Sequence, residues 1–260
     1  MKYQVISPVV DVRGVPDASA PKGKFETQLV RGEIFIVSEE KDGWCKGVCA
    51  HDNYPGYIES KYLSQSVIPA THVVTAVQSH VYSAPSLKSS RIETLSFGSQ
   101  IAIEANAEGW AQIKGGGWIY QKNITPVDAF DKDPIATAKK FLELPYSWGG
   151  RSGFGIDCSG LMQICLARAG IAIPRDTDVQ ENAVGSTVET PKKGDLVFFP
   201  GHVGLMVDDQ HIIHANAFHM KVTIEPLSVV AERSKKITSV RRGPFQALSS
   251  TKRLDRPTNS

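Results

Sequence analysis

The sequence of 260 residues lacks several features that would assign it to a class at once. It has no lysine or arginine run longer than two, and its 29 basic residues nearly balance its 27 acidic ones, so no nucleic-acid partner is expected. Its apolar runs fall far short of the ~20 residues that cross a membrane. Four cysteines are too few for a disulfide scaffold. Apolar residues, at 41%, nevertheless suffice for a globular core with a cleft.

The amino terminus also lacks the continuous apolar core and the small-residue cleavage site of a signal peptide. Together with the few cysteines, this predicts a protein of the reducing cytoplasm. No group of residues has the spacing of metal ligands, so neither a metal nor a cofactor is expected. We expect a monomer.

Two related segments, rich in short β-type runs, fill the first 128 residues. Three landmarks recur, at offsets of 66, 66 and 61 residues: Gly32-Glu33 with Gly98-Ser99, Asp42-Gly43-Trp44 with Glu108-Gly109-Trp110, and Gly56-Tyr57 with Gly117-Trp118. The first copy carries five extra residues near 50–55. An elaborated loop suits ligand contact, although a neutral insertion explains it equally well.

The chemistry-bearing residues lie in the last part of the chain. Cys158 precedes an apolar helical stretch that Gly170 ends, which places Cys158 at a helix N-terminus, where the helix dipole favours the thiolate. Cys165 lies within that stretch and is assigned to the core, as a small apolar side chain. Cys45 and Cys49 are four residues apart in a strand-like segment, too far apart to bridge.

A cysteine nucleophile needs a base, and two strand-like runs supply one. If 208–210 form a three-residue hairpin loop, His202 and His214 share a face as diagonal neighbours, and Asn216 lies opposite His202. Either His214 or Asn216 could then orient His202. A two-residue loop would instead place His214 on the other face.

These motifs resemble two bacterial families. The repeats resemble bacterial SH3-like domains, and the region 145–215 resembles the NlpC-type family of cell-wall cysteine peptidases. The matching pieces of the second family are Trp148-Gly149-Gly150, Asp157-Cys158-Ser159-Gly160, Pro174-Arg175-x-Thr177-x-x-Gln180, Gly194-Asp195-Leu196-Val197-Phe198-Phe199 and Gly201-His202-Val203-Gly204.

The resemblance implies an α+β chain: two small all-β SH3-like barrels (1–66 and 67–128), then a permuted papain-like α+β catalytic domain (129–246). A flexible tail at 247–260 completes the prediction. By the same resemblance, Cys158 is the nucleophile, His202 the base and His214 the third catalytic residue.

The implied substrate is a murein tri- or tetrapeptide with a free N-terminal L-Ala. The enzyme would hydrolyse its γ-D-glutamyl–diamino acid bond, with meso-diaminopimelate expected as the diamino acid, in recycling of cell-wall peptides. The candidate substrate-binding residues are Glu33, Tyr54, Asp157, Ser159, Asp176 and Thr177. Two alternatives are a secreted hydrolase of intact peptidoglycan and a non-catalytic wall-binding protein.

Overall fold

The computed structural model describes residues 1–23 and 26–243. The predicted tail, 247–260, lies outside the described residues. Within them, the sheets fall into three groups along the chain, and no sheet joins strands across the predicted boundaries at 66 and 128. None of the helices in the described part is long and apolar enough to cross a membrane.

The first group is a five-stranded antiparallel sheet, in the order β6-β5-β4-β1-β7, with a separate β2-β3 hairpin. Its strands are β1 (Lys2–Val5), β2 (Val9–Val12), β3 (Thr27–Val30), β4 (Ile34–Lys41), β5 (Trp44–Cys49), β6 (Pro55–Glu59) and β7 (Leu63–Ser64). The alternate side chains that the pleat turns inward form one apolar core, which includes Phe35 and Ile58.

The second group forms sheets in the orders β10-β9-β14-β13-β12 and β11-β8-β15. Its strands are β8 (His72–Val74), β9 (Gln78–Tyr82), β10 (Arg91–Ser96), β11 (Gln100–Ile101), β12 (Ile103–Ala107), β13 (Trp110–Ile113), β14 (Trp118–Tyr120) and β15 (Ile124–Pro126). A second apolar core, which includes Val74 and Leu95, holds them together.

The backbone confirms the internal repeat. The β4–β5 turn has φ of 51° at Asp42 and 79° at Gly43, and the β12–β13 turn has 48° at Glu108 and 86° at Gly109. Positive φ at both central residues is typical of the type I′ hairpin turn, whose twist matches that of its strands. A short 3₁₀ turn also follows β6 and β14.

The C-terminal unit places helices against a six-stranded antiparallel sheet in the order β18-β23-β19-β20-β21-β22. The helices are α1 (Pro134–Lys139), α2 (Cys158–Arg168), α3 (Thr177–Ala183) and α4 (Leu227–Ser234). The strands are β16 (Arg151–Ser152), β17 (Gly155–Ile156), β18 (Ser186–Thr187), β19 (Leu196–Phe199), β20 (His202–Met206), β21 (His211–Asn216), β22 (Lys221–Pro226) and β23 (Ser239–Arg242). The predicted α+β class is confirmed.

Helix α2 lies in the core between the sheet and the N-terminal units, and its apolar residues pack with those of the sheet, such as Phe198 and Val203. Helix α1 begins at Pro134 and ends at Lys139. The chain must turn there because Glu143 adopts a φ of 68° and Pro145 follows shortly.

Candidate active site

The N-terminus of α2 presents Cys158. Asp157 adopts extended backbone geometry as the N-cap residue, and its Oδ1 accepts a hydrogen bond of 2.7 Å from the N–H of Gly160. Cys158 is therefore the first helical residue, 7% exposed. All four thiols are free; Cys165 is buried within α2, and Cys45 and Cys49 are buried in β5.

The three-residue register of the β20–β21 hairpin is confirmed. Leu205 pairs with Ile213, and the N–H of Val207 donates to the carbonyl of His211 at 2.9 Å. His202 Nε2 lies 2.8 Å from His214 Nδ1. Asn216 is not the partner of His202, since its amide donates to Thr223 Oγ1 at 2.8 Å.

Strand β20 meets the helix N-terminus beside His202. The backbone N–H of the next residue, Val203, forms a hydrogen bond with the Cys158 sulfur that acts to lower the thiol pKa. Thr177 Oγ1, at the start of α3, lies 3.8 Å from Cys158 Sγ. The fold thus brings β20, α2 and α3 together at one sulfur atom.

Burial and neighbouring charges set the pKa values of the thiol and of the imidazole. Burial, and then the negative charge of Asp157, raise the pKa of the Cys158 thiol to about 11. Burial and the neighbouring His214 lower the pKa of His202 to about 3. Burial, and then the charge of the capping carboxylate, therefore outweigh the stabilisation that the helix N-terminus gives the thiolate. The resting pair is a neutral thiol and a neutral imidazole, and the ionic form requires proton transfer between them.

A cleft of about 280 Å³ opens beside Cys158. Its lining comes from the first repeat and from the C-terminal unit: Glu26, Tyr146, Trp148, Gly149, Asp157, Cys158, Ser159, Arg175, Asp176, Thr177, Asp178 and Gly201. Of the predicted substrate-binding residues, Asp157, Ser159, Asp176 and Thr177 line the cleft. Tyr54 lies at the rim of the cleft, where its hydroxyl bonds to Asp176. Glu33 is not among the residues that line the cleft.

Asp157 and Ser159 are held by a buried guanidinium. Arg175 Nη2 donates to Asp157 Oδ2 at 2.7 Å, and Nη1 donates to Ser159 Oγ at 2.7 Å. Arg175 Nε donates to Thr27 Oγ1 of the first repeat at 2.8 Å. The carboxylate therefore caps α2, pairs with a cation and lines the cleft at once.

The insertion in the first repeat docks against the C-terminal unit. Asp52 Oδ2 accepts a hydrogen bond of 2.8 Å from Gln163 Nε2 of α2. The hydroxyl of Tyr54, 2% exposed, donates to Asp176 Oδ1 at 3.2 Å. The extra residues thus fix a tyrosine at the cleft rim, which a neutral insertion would not do.

Glu33 does not belong to the cleft, which corrects the prediction. Its carboxylate accepts two hydrogen bonds from Arg151 Nη1, at 2.9 and 3.0 Å, and one from the N–H of Val30 at 2.8 Å. It lines a separate cavity of about 210 Å³ between the three units. The Gly32-Glu33 turn folds the side chain back onto its own backbone, so it cannot reach Asp157.

Sequence reasoning missed Glu26, which supplies the acid that Glu33 was expected to provide. Glu26 is 4% exposed and lines the cleft. Its Oε1 accepts from the N–H of Gly23 at 3.1 Å, whereas Oε2 has no hydrogen-bond partner in the described part of the chain. At the first landmark offset, the second repeat carries Ile92 instead, a difference that could have drawn attention to Glu26.

Gly149 permits the close approach of the first repeat. Its φ is 75°, and a Cβ at this position would lie 2.8 Å from the Cβ of Glu26. The N–H of Gly149 donates to Asp157 Oδ2 at 2.9 Å, and the indole N–H of Trp148 donates to the carbonyl of Gly23 at 2.9 Å. The Trp-Gly-Gly motif is therefore a point of contact between the first repeat and the C-terminal unit at the wall of the cleft.

Tyr146 is a further cleft residue that sequence reasoning missed. Burial, and then the charges of Cys158 and Asp157, raise the pKa of its hydroxyl. The group therefore keeps its proton and can donate a hydrogen bond into the cleft. No set of three or more His, Cys, Asp or Glu side chains that could hold a metal occurs among residues 1–23 and 26–243.

These features define a buried thiol in contact with the strand that carries a hydrogen-bonded imidazole, the arrangement of a cysteine peptidase. The NlpC/P60 family model matches residues 143–242, and a model described as the bacterial dipeptidyl-peptidase Sh3 domain matches residues 17–63. The chain belongs to the NlpC/P60 family of cysteine peptidases.

Curated relatives share most of its length. A gamma-D-glutamyl-L-lysine dipeptidyl-peptidase of Bacillus cereus is 32% identical over 241 residues, which cover 79% of this chain and 71% of the relative. The protein of the same name from Bacillus subtilis is 28% identical, covering 93% and 99%. A crystal structure of an NlpC/P60 family protein from Bacillus cereus has a TM-score of 0.79 at 24% identity, covering 93% and 99%.

Proposed function

We propose that this protein is a dipeptidyl-peptidase of murein peptides. It hydrolyses the bond between γ-D-glutamate and the following diamino acid, and it requires a free amine on the N-terminal L-Ala. One observation carries the proposal: Glu26 belongs to the lining of the cleft that holds Cys158, and its buried Oε2 has no hydrogen-bond partner in the described part of the chain. A buried anion without a partner is costly, and a ligand ammonium would relieve that cost.

The first repeat limits the length of the substrate on its amino-terminal side. Glu26 and Tyr54 come from this repeat, and Asp157 and Asp176 face them from the C-terminal unit. In this proposal, the first two residues of the substrate occupy the space between this wall and the sulfur of Cys158. An acyl group on the amine would remove the positive charge and meet the wall, so acylated peptides are excluded.

The chemistry is nucleophilic acyl transfer. The sulfur of Cys158 attacks the amide carbonyl as its proton passes to His202, which then protonates the leaving amine. The resting pair is neutral, so the proton transfer accompanies attack. The Tyr146 hydroxyl supplies a donor for the oxyanion. Water, activated by His202, hydrolyses the thioester and releases the dipeptide.

The requirement for a free amine supports a role in recycling. A peptide still attached to the glycan through its N-terminal residue presents an amide there and would not be bound. The substrates are therefore peptides already released from the wall, and the proposed location is the cytoplasm. The proposed diamino acid is meso-diaminopimelate. The alternative is L-lysine, which appears in the names of the two Bacillus relatives.

The test compares four synthetic tripeptides: L-Ala-γ-D-Glu followed by meso-diaminopimelate or by L-Lys, each with a free and with an N-acetylated amine. We expect hydrolysis of the free peptides only, with L-Ala-γ-D-Glu as a product identified by mass. The Cys158→Ala variant is the control for contaminating peptidase. Equal rates on free and acetylated peptides would contradict the proposal.

A further inference from the structure

A chain of hydrogen-bonded side chains continues beyond the two histidines. His202 on β20 bonds to His214 on β21, and His214 Nε2 in turn lies 2.8 Å from Oε2 of Glu225 on β22. Three adjacent strands therefore each contribute one member. No role was predicted for Glu225, and the proposed acyl transfer does not use it.

The charge of Glu225 is fixed by its surroundings. Arg233 on α4 donates to both carboxylate oxygens, at 3.1 and 2.7 Å, and His219 Nε2 lies 3.0 Å from Oε1. Partial burial acts to raise the pKa of Glu225, but hydrogen bonds from Arg233, His219 and His214 lower it to about 2. Glu225 is therefore ionised at neutral pH, and an ionised carboxylate can only accept hydrogen bonds.

Because Glu225 can only accept, it determines which nitrogen carries the proton in His214 and then in His202. Because the carboxylate accepts, His214 carries its proton on Nε2 and leaves Nδ1 as an acceptor. His202 must then carry its proton on Nε2 in order to donate to that Nδ1. Its own Nδ1 is left unprotonated, and a base needs such a lone pair.

We propose that Glu225 acts through His214 as a positioning residue: it holds His202 in the tautomer that carries its proton on Nε2. The inference deepens the proposed function and rests on it for the role of His202 as base. In the step concerned, the S–H bond of Cys158 breaks and an N–H bond forms at Nδ1 of His202. His214 lies between the imidazolium so formed and the negative charge of Glu225. Hydrogen bonds from Arg233 and His219 to the same carboxylate reduce the effect of that charge on the imidazolium.

The decisive variant is Glu225→Gln, which keeps the size of the side chain. A glutamine amide can donate to His214 Nε2, which would reverse both hydrogen bonds and place the proton of His202 on Nδ1. Glu225→Asp keeps a group that can only accept, and Glu232→Gln is the matched control, since Glu232 is an exposed residue of the same helix as Arg233.

The first measurement needs no substrate. In protein labelled with ¹⁵N-histidine, ring nitrogen shifts report the tautomer of His202 directly. We expect a proton on Nε2 in the unmodified protein, in Glu225→Asp and in Glu232→Gln, and a substantial fraction on Nδ1 in Glu225→Gln. Melting temperatures show that each variant is folded; if Glu225→Gln is not, a reversed tautomer in Glu225→Asp would overturn the proposal by itself.

The second measurement is the rate at which iodoacetamide alkylates Cys158, followed against pH. Loss of a carboxylate that contacts a catalytic histidine directly lowers the catalytic rate by about 10⁴. Because His214 separates Glu225 from His202, we expect a smaller fall in the alkylation rate of Glu225→Gln, roughly 10–100-fold. On a hydrolysed peptide, kcat should fall by the same ratio with KM unchanged.

The outcomes separate the two proposals. An unchanged tautomer and an alkylation rate within twofold in Glu225→Gln would overturn the role of Glu225, whatever the peptide results. Failure of the unmodified protein to cleave any of the four peptides would count against the proposed function and would leave the tautomer measurement valid.

Discussion

The two SH3-like repeats share a backbone plan but contribute differently to the cleft. Both hold the β16–β17 hairpin of the C-terminal unit: Gln28 accepts from the N–H of Arg151 at 3.0 Å, and Ser96 accepts from the N–H of Gly153 at 2.8 Å. The first repeat adds Glu26 and the rim tyrosine, whereas no residue of the second repeat lines the cleft. A short insertion and one acidic residue thus bring the first repeat, but not the second, to the cleft.

The largest expected effect is on stability, at the interface of the first repeat. Arg151→Ala leaves the carboxylate of Glu33 buried without its cation, and breaking a buried pair in this way costs about 3–5 kcal/mol. Arg31→Ala removes an ion pair to Glu93 that is more exposed and joins the repeats, so it should cost about 1 kcal/mol or less. Urea unfolding measures both. Equal losses would show that the two interfaces are not energetically distinct.

The next effect is on catalysis. Glu26→Gln removes the charge proposed to bind the ammonium, and a charge-assisted hydrogen bond of about 1.5–3 kcal/mol corresponds to a fall of roughly 10–100-fold in kcat/KM. The ratio of rates on free and acetylated peptides should fall with it. Glu104→Gln, on an exposed position of the second repeat, is the matched control and should leave both rates unchanged.

A smaller effect is expected at the rim. Tyr54→Phe removes the hydroxyl that donates to Asp176, and loss of one such hydrogen bond, worth about 1 kcal/mol, should lower kcat/KM roughly fivefold. Tyr82→Phe, which removes a tyrosine hydroxyl from the second repeat, is the control. If the two variants have equal kcat/KM, the insertion does not contribute to substrate binding.

The smallest effect is the response to acid. Burial acts to raise the pKa of Asp52, but His51, the N–H of Tyr54 and Arg151 together hold it well below its usual range. A depressed pKa stabilises the fold above the unfolded value near ~4, and this stabilisation is lost as the pH falls. We expect a loss of about 1 kcal/mol in the free energy of unfolding by pH ~3.

Asp52→Asn is the control for that response, since it removes the titrating group from the docked insertion. The free energy of unfolding, measured by urea at a series of pH values, should then decline less steeply below pH ~4. An unchanged slope would assign the acid sensitivity to other carboxylates.

Much of the site was predictable because it depends on local rules. A cap residue before an apolar helix placed Cys158. The period of two placed His202 and His214 on one face for a three-residue hairpin loop, which is the loop observed. The strand pattern alone left the choice between His214 and Asn216 open, because it depends on χ angles and on Thr223 in the next strand, and only the family resemblance favoured His214. The prediction that Glu33 lines the cleft was wrong for a related reason, since its partner, Arg151, is far away in sequence.

The sequence by itself determined the repeat and the helix that presents the sulfur, since these follow from turns, caps and alternation between neighbours in the chain. For the two histidines it left two hairpin registers open, and the structure decided between them. The tertiary structure alone decided which acid faces the cleft, which cation neutralises Asp157 and which carboxylate ends the histidine chain. Those choices depend on the packing of the first repeat against α2 and of β21 against β22. Burial, which exists only after that packing, also set the protonation of the thiol and the imidazole.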